Sequence, residues 1–339
     1  MLTAEKIKQW GMENGFSRVR ILHPDTMPGK EKYQAMIRKR GLWEEEKWFS
    51  SDEAFICMAS LPFNIKTESA SNSSYGTIGR FARRNYYKEF VRRMKKVFLN
   101  IRIETGINKK DGRIFCNSPI PEKPLAAVCG LGFIGKNSLL ITPEAGSWCV
   151  IGGLIFKAPA VWNAGIADAP LDKGMEPGGL CGECSACVQA CPTNALVSSG
   201  RMEKESCMQF FLQEHIKLDD KTSSLLENRI YGCDICQEVC PKNNIPEAVY
   251  NTKAPEIPGE KVLIADLLQL PLSDVRNFFK GTPMGMGWLQ HRVFIRNALI
   301  AAGNLGNVSL LPLIKPYAES EDEVLRSAAE YTLTMLKEK

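Results

Sequence analysis

The feature that most constrains this chain is a run of cysteines. Cys181, Cys184, Cys187 and Cys191, followed by Pro192, keep the spacing Cys-x2-Cys-x2-Cys-x3-Cys-Pro. Cys233, Cys236 and Cys240, followed by Pro241, repeat its last three positions. A tight loop with this spacing wraps three thiolates around one 4Fe–4S cube and sends the fourth towards a second cube. Proline then fixes the backbone beyond it.

On this ferredoxin-type template the second motif lacks its first thiolate, because that position is Ile230. Cys207 is the spare cysteine between the motifs. The spacing therefore predicts a crossed ligation. Cys181, Cys184, Cys187 and Cys240 hold one cluster, and Cys191, Cys207, Cys233 and Cys236 hold the other. Zinc ribbons also use Cys-x2-Cys pairs, but two tandem motifs ending in Cys-Pro speak against them. Cys57, Cys129 and Cys149 lie in apolar stretches and read as core.

Twelve cysteines in 339 residues, behind a polar start without an apolar signal core, fit metal or redox use in a reducing cytoplasm. No run of eighteen apolar residues is present, so no membrane span is expected. The formal charge of +5 falls to about +1 once two clusters at about −2 each are counted. Net charge therefore does not announce a nucleic-acid partner.

Three domains are expected: 1–165, an α/β unit; 170–250, a ferredoxin-like double-cluster unit; and 255–339, a helical unit. The first shows a helix over 3–15 with Thr3 as N-cap and Ile7 and Trp10 inward. Strands are expected at Arg18–Leu22, Phe55–Leu61 and Val150–Phe156, and a long basic helix over 79–104. Two Pro/Gly-rich stretches, 164–179 and 243–261, read as linkers. From 261 the pattern is wholly helical. Gly303, Asn304 and Gly306 are expected to break one helix, Leu310–Tyr317 to form a second, and a capping box at Ser320–Glu323 to open a third. This last region has the look of a HEAT-type repeat unit or of a generic helical cap.

The stretch Gly130-Leu-Gly132-Phe133-Ile-Gly135-Lys136-Asn137-Ser138 matches G-x-G-x-x-G and nearly matches a P-loop. A dinucleotide fingerprint needs a strand before it, yet PLAAVC looks helical. A P-loop needs a hydroxyl where Asn137 stands. A glycine turn that lets backbones pack closely explains the residues more simply.

Taken together, CGLGFIGKNSLLITPEAGSW, NRIYGCDICQEVCPKN, FKGTP and RNALIAAGNLGN resemble the epoxyqueuosine reductase family, in that family's order, across roughly residues 55–335. The resemblance implies an α+β multidomain oxidoreductase. It would have a cobalamin-binding N-terminal domain, a double-cluster domain and a HEAT-like C-terminal domain. Such enzymes remove the epoxide oxygen from epoxyqueuosine in tRNA. An external one-electron donor of flavodoxin or ferredoxin type would feed the clusters. By this likeness Gly130, Gly132, Phe133, Gly135, Lys136, Asn137 and Ser138 would lie against cobalamin, which would be bound without a histidine ligand. His23, His215 and His291 read as structural.

One departure stands out. The family's presumed proton donor is an aspartate in a segment resembling D-[ST]-x-P-x-x-E-[RK]. Here the matching stretch is Cys116-Asn-Ser-Pro-Ile-Pro-Glu122-Lys123, which makes Cys116 the candidate catalytic residue. The substitution leaves open a cobalamin-dependent relative acting on another small molecule, as the reductive dehalogenases do. A two-cluster electron carrier is the non-enzymatic alternative, but it has no use for the glycine loop.

Arg80, Arg83, Arg84, Lys88, Arg92, Arg93, Lys95 and Lys96 crowd eight cations into seventeen residues. A solvated helix face is the common reason for such a run. The functional reading is a stripe that meets tRNA or cofactor phosphates.

Overall fold

The computed structural model describes residues 2–49, 51, 53–63, 73–157, 178–197, 200–245 and 258–337. Most of both expected linkers, and the domain boundaries placed within them, lie outside the described residues.

The N-terminal domain is built on two nine-residue strands, Ala54–Pro62 and Cys149–Lys157, paired antiparallel along their full length. Arg18–Leu22 extends one edge and Gly112–Cys116 the other, both antiparallel. Every residue of Ala54–Pro62 is buried. The period-two geometry explains why. Phe55, Cys57, Ala59 and Leu61 face a core with Ile7, Phe16, Phe90 and Met94. Ala54, Ile56 and Met58 face a second core with Tyr33, Ile37, Phe49 and Leu125. Helices thus cover both faces. The α/β expectation left strand direction open, and the sheet is antiparallel throughout. Phe55 and Phe156 meet across some hundred residues of sequence, a register that no local pattern reveals.

Thr3 caps the first helix, Ala4–Glu13, its side chain accepting from the Lys6 N–H. The basic segment differs from expectation. Arg80–Ala82 is a short 3-10 turn, and the long helix runs Tyr86–Thr105. Asn85 caps it by accepting from the Lys88 N–H, so helical spacing cannot join Arg80 and Arg84 to the helix beyond.

A three-stranded sheet brings together three distant parts of the chain. Tyr75–Ile78 lies between Arg229–Tyr231, which is parallel to it, and Lys261–Leu263, which is antiparallel. The last of these is a strand where a wholly helical region was expected. One core then runs from Ile78 and Met208 through Ile230 and Tyr231 to the C-terminal helices. Ile230 is fully buried in it, so the place of the missing thiolate is a packing position.

Helix Arg292–Leu305 continues through Gly303 and Asn304 and stops at the left-handed Gly306. Gly303 is an interior packing glycine: a Cβ there would lie 3.0 Å from Thr332 Cα on the Glu323–Lys337 helix. The expected second helix is split into Leu311–Ile314 and a 3-10 segment, Lys315–Glu319. At the last helix the described hydrogen bonds centre on Asp322, not on a Ser320–Glu323 box. Its carboxylate accepts from the Val324 and Leu325 N–H groups, while the Ser320 hydroxyl accepts from Asp322.

Candidate cluster centre and adjoining cleft

Two short helices carry the cysteine motifs. Ala186–Ala190 follows the first loop, and Ile235–Glu238 sits inside the second motif. Cys181, Cys184, Cys187 and Cys240 line one cavity together with Lys136, Asn137 and Ile141. Burial raises the Cys187 thiol, and the charges of Cys240, Cys181 and Cys184 add to that rise. Burial likewise raises Cys236, reinforced by Cys233 and Cys207. Cys207 in turn feels Cys191 after its own burial. Cys187 thus lies near Cys181, Cys184 and Cys240, and Cys236 near Cys233 and Cys207, with Cys187 also close to Cys236. Among the described residues no three His, Cys, Asp or Glu side chains converge closely enough to hold a single metal ion. A four-iron cube asks for something else, since each thiolate meets a different corner.

The second motif is docked on the N-terminal domain by backbone contact. A Cβ on Gly79 would lie 2.8 Å from Gly232 Cα, and Gly232 has φ +95°. Glycine is required on both sides of that contact. Asp234 then accepts from the Arg80 N–H at 2.7 Å, and burial raises its carboxyl. Two buried residues, Arg296 and Asn297, hold the flanks of Cys207 and Cys233. Arg296 donates to the Phe211, Glu214 and Ile216 carbonyls, and Asn297 to those of Leu212 and Ile230.

The glycine loop packs closely, as its simpler reading held. Gly130 ends the Glu122–Val128 helix with φ +73°. A Cβ on Gly132 would strike the Ile141 carbonyl oxygen at 2.2 Å. Phe133–Ile134 pairs with Leu140–Ile141 as a small hairpin. Lys136 Nζ donates to the carbonyls of Gly182 and Cys184 at 2.7 and 3.0 Å. Ser138 Oγ donates to the Gly200 carbonyl at 2.7 Å. The polar side chains expected against cobalamin are therefore turned towards the cluster domain.

Beside this hairpin opens a cleft of about 430 Å³. Its apolar lining includes Phe63, Phe81, Leu140, Val150 and Ile151, and its polar lining includes Arg40, Tyr87, Ser118, Glu122, Lys123 and Gln237. Gln237 directly follows Cys236, so the cleft borders the second cluster motif. Most of these residues carry no sequence signal of their own; Glu122 and Lys123 are exceptions, lying in the segment that holds Cys116. None of the three histidines lines the cleft. His215 pairs with Asp322 at 3.0 Å, and His23 and His291 pack edge-on against Phe55 and Phe294.

Cys116 closes its strand behind the cleft wall. Its Sγ donates to the Ile151 carbonyl at 3.4 Å. Burial, and secondly the charge of Glu122, push its thiol far above the ordinary value. Asn117, with φ +51°, and Ser118 line the cleft instead. Glu122 accepts from the N–H groups of Asn117 and Ser118 and from the Ser118 hydroxyl at 2.8–3.1 Å. Burial still raises its carboxyl above 4.5.

Half of the basic run is spent inside the molecule. Arg83 is buried and donates to the Ile78 carbonyl. Arg84 and Arg93 pair with buried Glu89, and Arg80 lies over the Trp148 ring at 4.3 Å. Lys88, Arg92, Lys95 and Lys96 remain exposed. Among the described residues no helix is long and apolar enough to cross a membrane.

A family model described as a 4Fe-4S double cluster binding domain matches residues 180–243. The chain is 31% identical to the epoxyqueuosine reductase of Escherichia coli K12 over 89% of its own length and 81% of that protein's. It is 35% identical to the Aliivibrio fischeri epoxyqueuosine reductase over 89% and 82%. The Streptococcus thermophilus epoxyqueuosine reductase structure superposes with TM-score 0.79 at 22% identity, covering 99% of this chain and 90% of that one. An epoxyqueuosine reductase solved with an epoxyqueuosine-modified tRNA-Tyr stem loop gives 0.77 at 22%, covering 98% and 89%.

Proposed function

The chain belongs to the epoxyqueuosine reductase family, and from that premise we propose how its own residues serve the reaction. It is an oxidoreductase that reduces epoxyqueuosine to queuosine in tRNA. Removing an epoxide oxygen to leave an alkene consumes two electrons and two protons and releases water. The chain must therefore deliver electrons singly and hold an acid at the substrate.

We assign one 4Fe–4S cluster to Cys181, Cys184, Cys187 and Cys240 and the other to Cys191, Cys207, Cys233 and Cys236. The first set shares a cavity, and Cys187 of one set and Cys191 of the other stand on and just past one short helix, Ala186–Ala190, which would hold the clusters as neighbours for electrons from an external one-electron donor. The observation that carries the reading is that the cleft shares Gln237 with the second cluster motif and the 117–123 segment with the family's acid loop.

We place cobalamin in that cleft. An apolar floor suits the face of a corrin, and the amide, hydroxyl and charged groups at the rim suit its polar substituents. The fit is to a cofactor held without histidine. When bound, it supplies a cobalt centre that can take single electrons and engage the epoxide. The glycine hairpin supports the cleft from the cluster side, with Leu139 and Leu140 as its contribution to the lining.

The acid we assign is Glu122. Glu122 lines the cleft, and burial raises its pKa above the ordinary carboxylate value, the direction that helps a carboxyl keep the proton a general acid must give. Cys116 keeps its proton too firmly and faces Ile151. The C-terminal helices we read as a HEAT-type unit buttressing the Arg296–Asn297 pair.

The test uses anaerobically purified protein with an epoxyqueuosine-containing anticodon hairpin and a chemical reductant. Conversion to queuosine is expected only when both cobalamin and intact clusters are present. Equal conversion without cobalamin would refute its place here.

A further inference from the structure

Asn137 is 3% exposed and lines the cavity of Cys181, Cys184, Cys187 and Cys240. Its Oδ1 accepts from the Leu139 backbone N–H at 3.2 Å. A backbone N–H can only donate, so this bond fixes which end of the carboxamide is oxygen. The other end, Nδ2, is buried with no hydrogen-bond partner among the described residues. A buried donor left unsatisfied is costly and calls for an acceptor. The other side chains of the cavity narrow the choice. Lys136 and Lys242 are donors, and Ile141, Ala186 and Pro241 are apolar. The sulfurs are the acceptors that remain. Gly135 keeps the space open: a Cβ there would lie 2.8 Å from Asn137 Oδ1.

We propose that Asn137 Nδ2 donates an N–H···S hydrogen bond to the cluster held by Cys181, Cys184, Cys187 and Cys240, and thereby raises its reduction potential. This inference rests on the cluster assignment above. Reduction adds negative charge to the cluster and makes its sulfurs better acceptors, so a fixed donor favours the reduced state. Lys136, tied to the Gly182 and Cys184 carbonyls, holds the same loop in register for the contact.

The experiment is a potentiometric titration followed by electron paramagnetic resonance on the full-length, cluster-loaded protein. Asn137→Leu is expected to lower the reduced-to-oxidised ratio of this cluster about tenfold at fixed potential, about 59 mV for one electron. Asn137→Asp keeps the shape but turns an acceptor towards the sulfurs, and should lower it at least as far. The second cluster should not move. An unchanged first potential in both variants overturns the proposal. Where the variants lose clusters, wild-type protein labelled with ¹⁵N in asparagine side chains decides. A ¹⁵N coupling to the reduced first cluster is expected, and its absence overturns the proposal. Wild-type protein without iron and sulfide overturns the cluster assignment and this proposal together.

Discussion

Arg296 is 1% exposed and has no carboxylate partner among the described residues. Burial alone pushes its pKa down to about 9. Three main-chain carbonyls and the Asn297 Oδ1 surround its guanidinium. Replacing it with methionine keeps much of the stem but strands the carbonyls of Phe211, Glu214 and Ile216. Each stranded group costs about 1–3 kcal/mol. Relief from burying a lone cation works the other way and offsets several kcal/mol. Exposed carbonyls can also find water once the segment loosens. The net loss expected for Arg296→Met is therefore about 3 kcal/mol, a large share of a typical domain's stability. The damage should be local first. Phe211, Glu214 and Ile216 belong to the helix Met208–Gln213 and its exit, which begin just after Cys207. The cluster holding Cys207 should be lost before the other, leaving about four of about eight irons. Anaerobic urea denaturation gives the stability, and iron and sulfide analysis gives the occupancy. A change under about 1 kcal/mol with full iron content would refute the account of Arg296 as the clamp on this segment.

Other outcomes are expected of the cleft and the hairpin. Glu122→Gln should cut turnover about 10²-fold or more, in line with loss of a general acid, whereas Cys116→Ser should change it less than tenfold. Because burial raises the Glu122 pKa, the acid form is lost as pH rises through that raised value. Wild-type turnover should fall over that range, and Glu122→Gln should be flat there; the opposite pattern would remove Glu122 from the reaction. Gly132→Ala should cost about 1–3 kcal/mol by thermal denaturation, since its methyl meets a backbone carbonyl that cannot step aside. Lys136→Met should speed loss of the first cluster to a chelator with little effect on the Cys207 cluster, because it frees the Gly182–Cys184 loop. Equal rates for both clusters would contradict that.

How much of this was legible in sequence depended on how local the physics is. The double-cluster segment was legible because thiolate spacing is set by one loop at a time, and the family model covers it at residues 180–243. Thr3 and the Arg18–Leu22 strand were legible for the same reason. The break before Tyr86 was not, because an Asn85 cap inside a basic, aromatic run gives no periodic signal. The antiparallel order was not, because the partner of Ala54–Pro62 lies almost a hundred residues on. The place of Cys116 was also hidden. Aligned motifs gave its position in the chain, but that its thiol bonds to the Ile151 carbonyl and is not among the cleft-lining groups depends on the pleat of the strand Gly112–Cys116 against Cys149–Lys157.

The strand Tyr75–Ile78 carries a last consequence. It pairs with Arg229–Tyr231, so residues about 150 apart must meet before the second cysteine motif acquires its neighbour. Contacts so distant in sequence form late. During synthesis the first motif emerges from the ribosome with its N-terminal scaffold already made, while Cys240 is still missing. Iron–sulfur assembly on this chain is thus bound to wait for the C-terminal half. A fragment cut to the double-cluster segment alone would expose Ile230 and Tyr231 along an unpaired strand edge, and should aggregate where the whole chain does not.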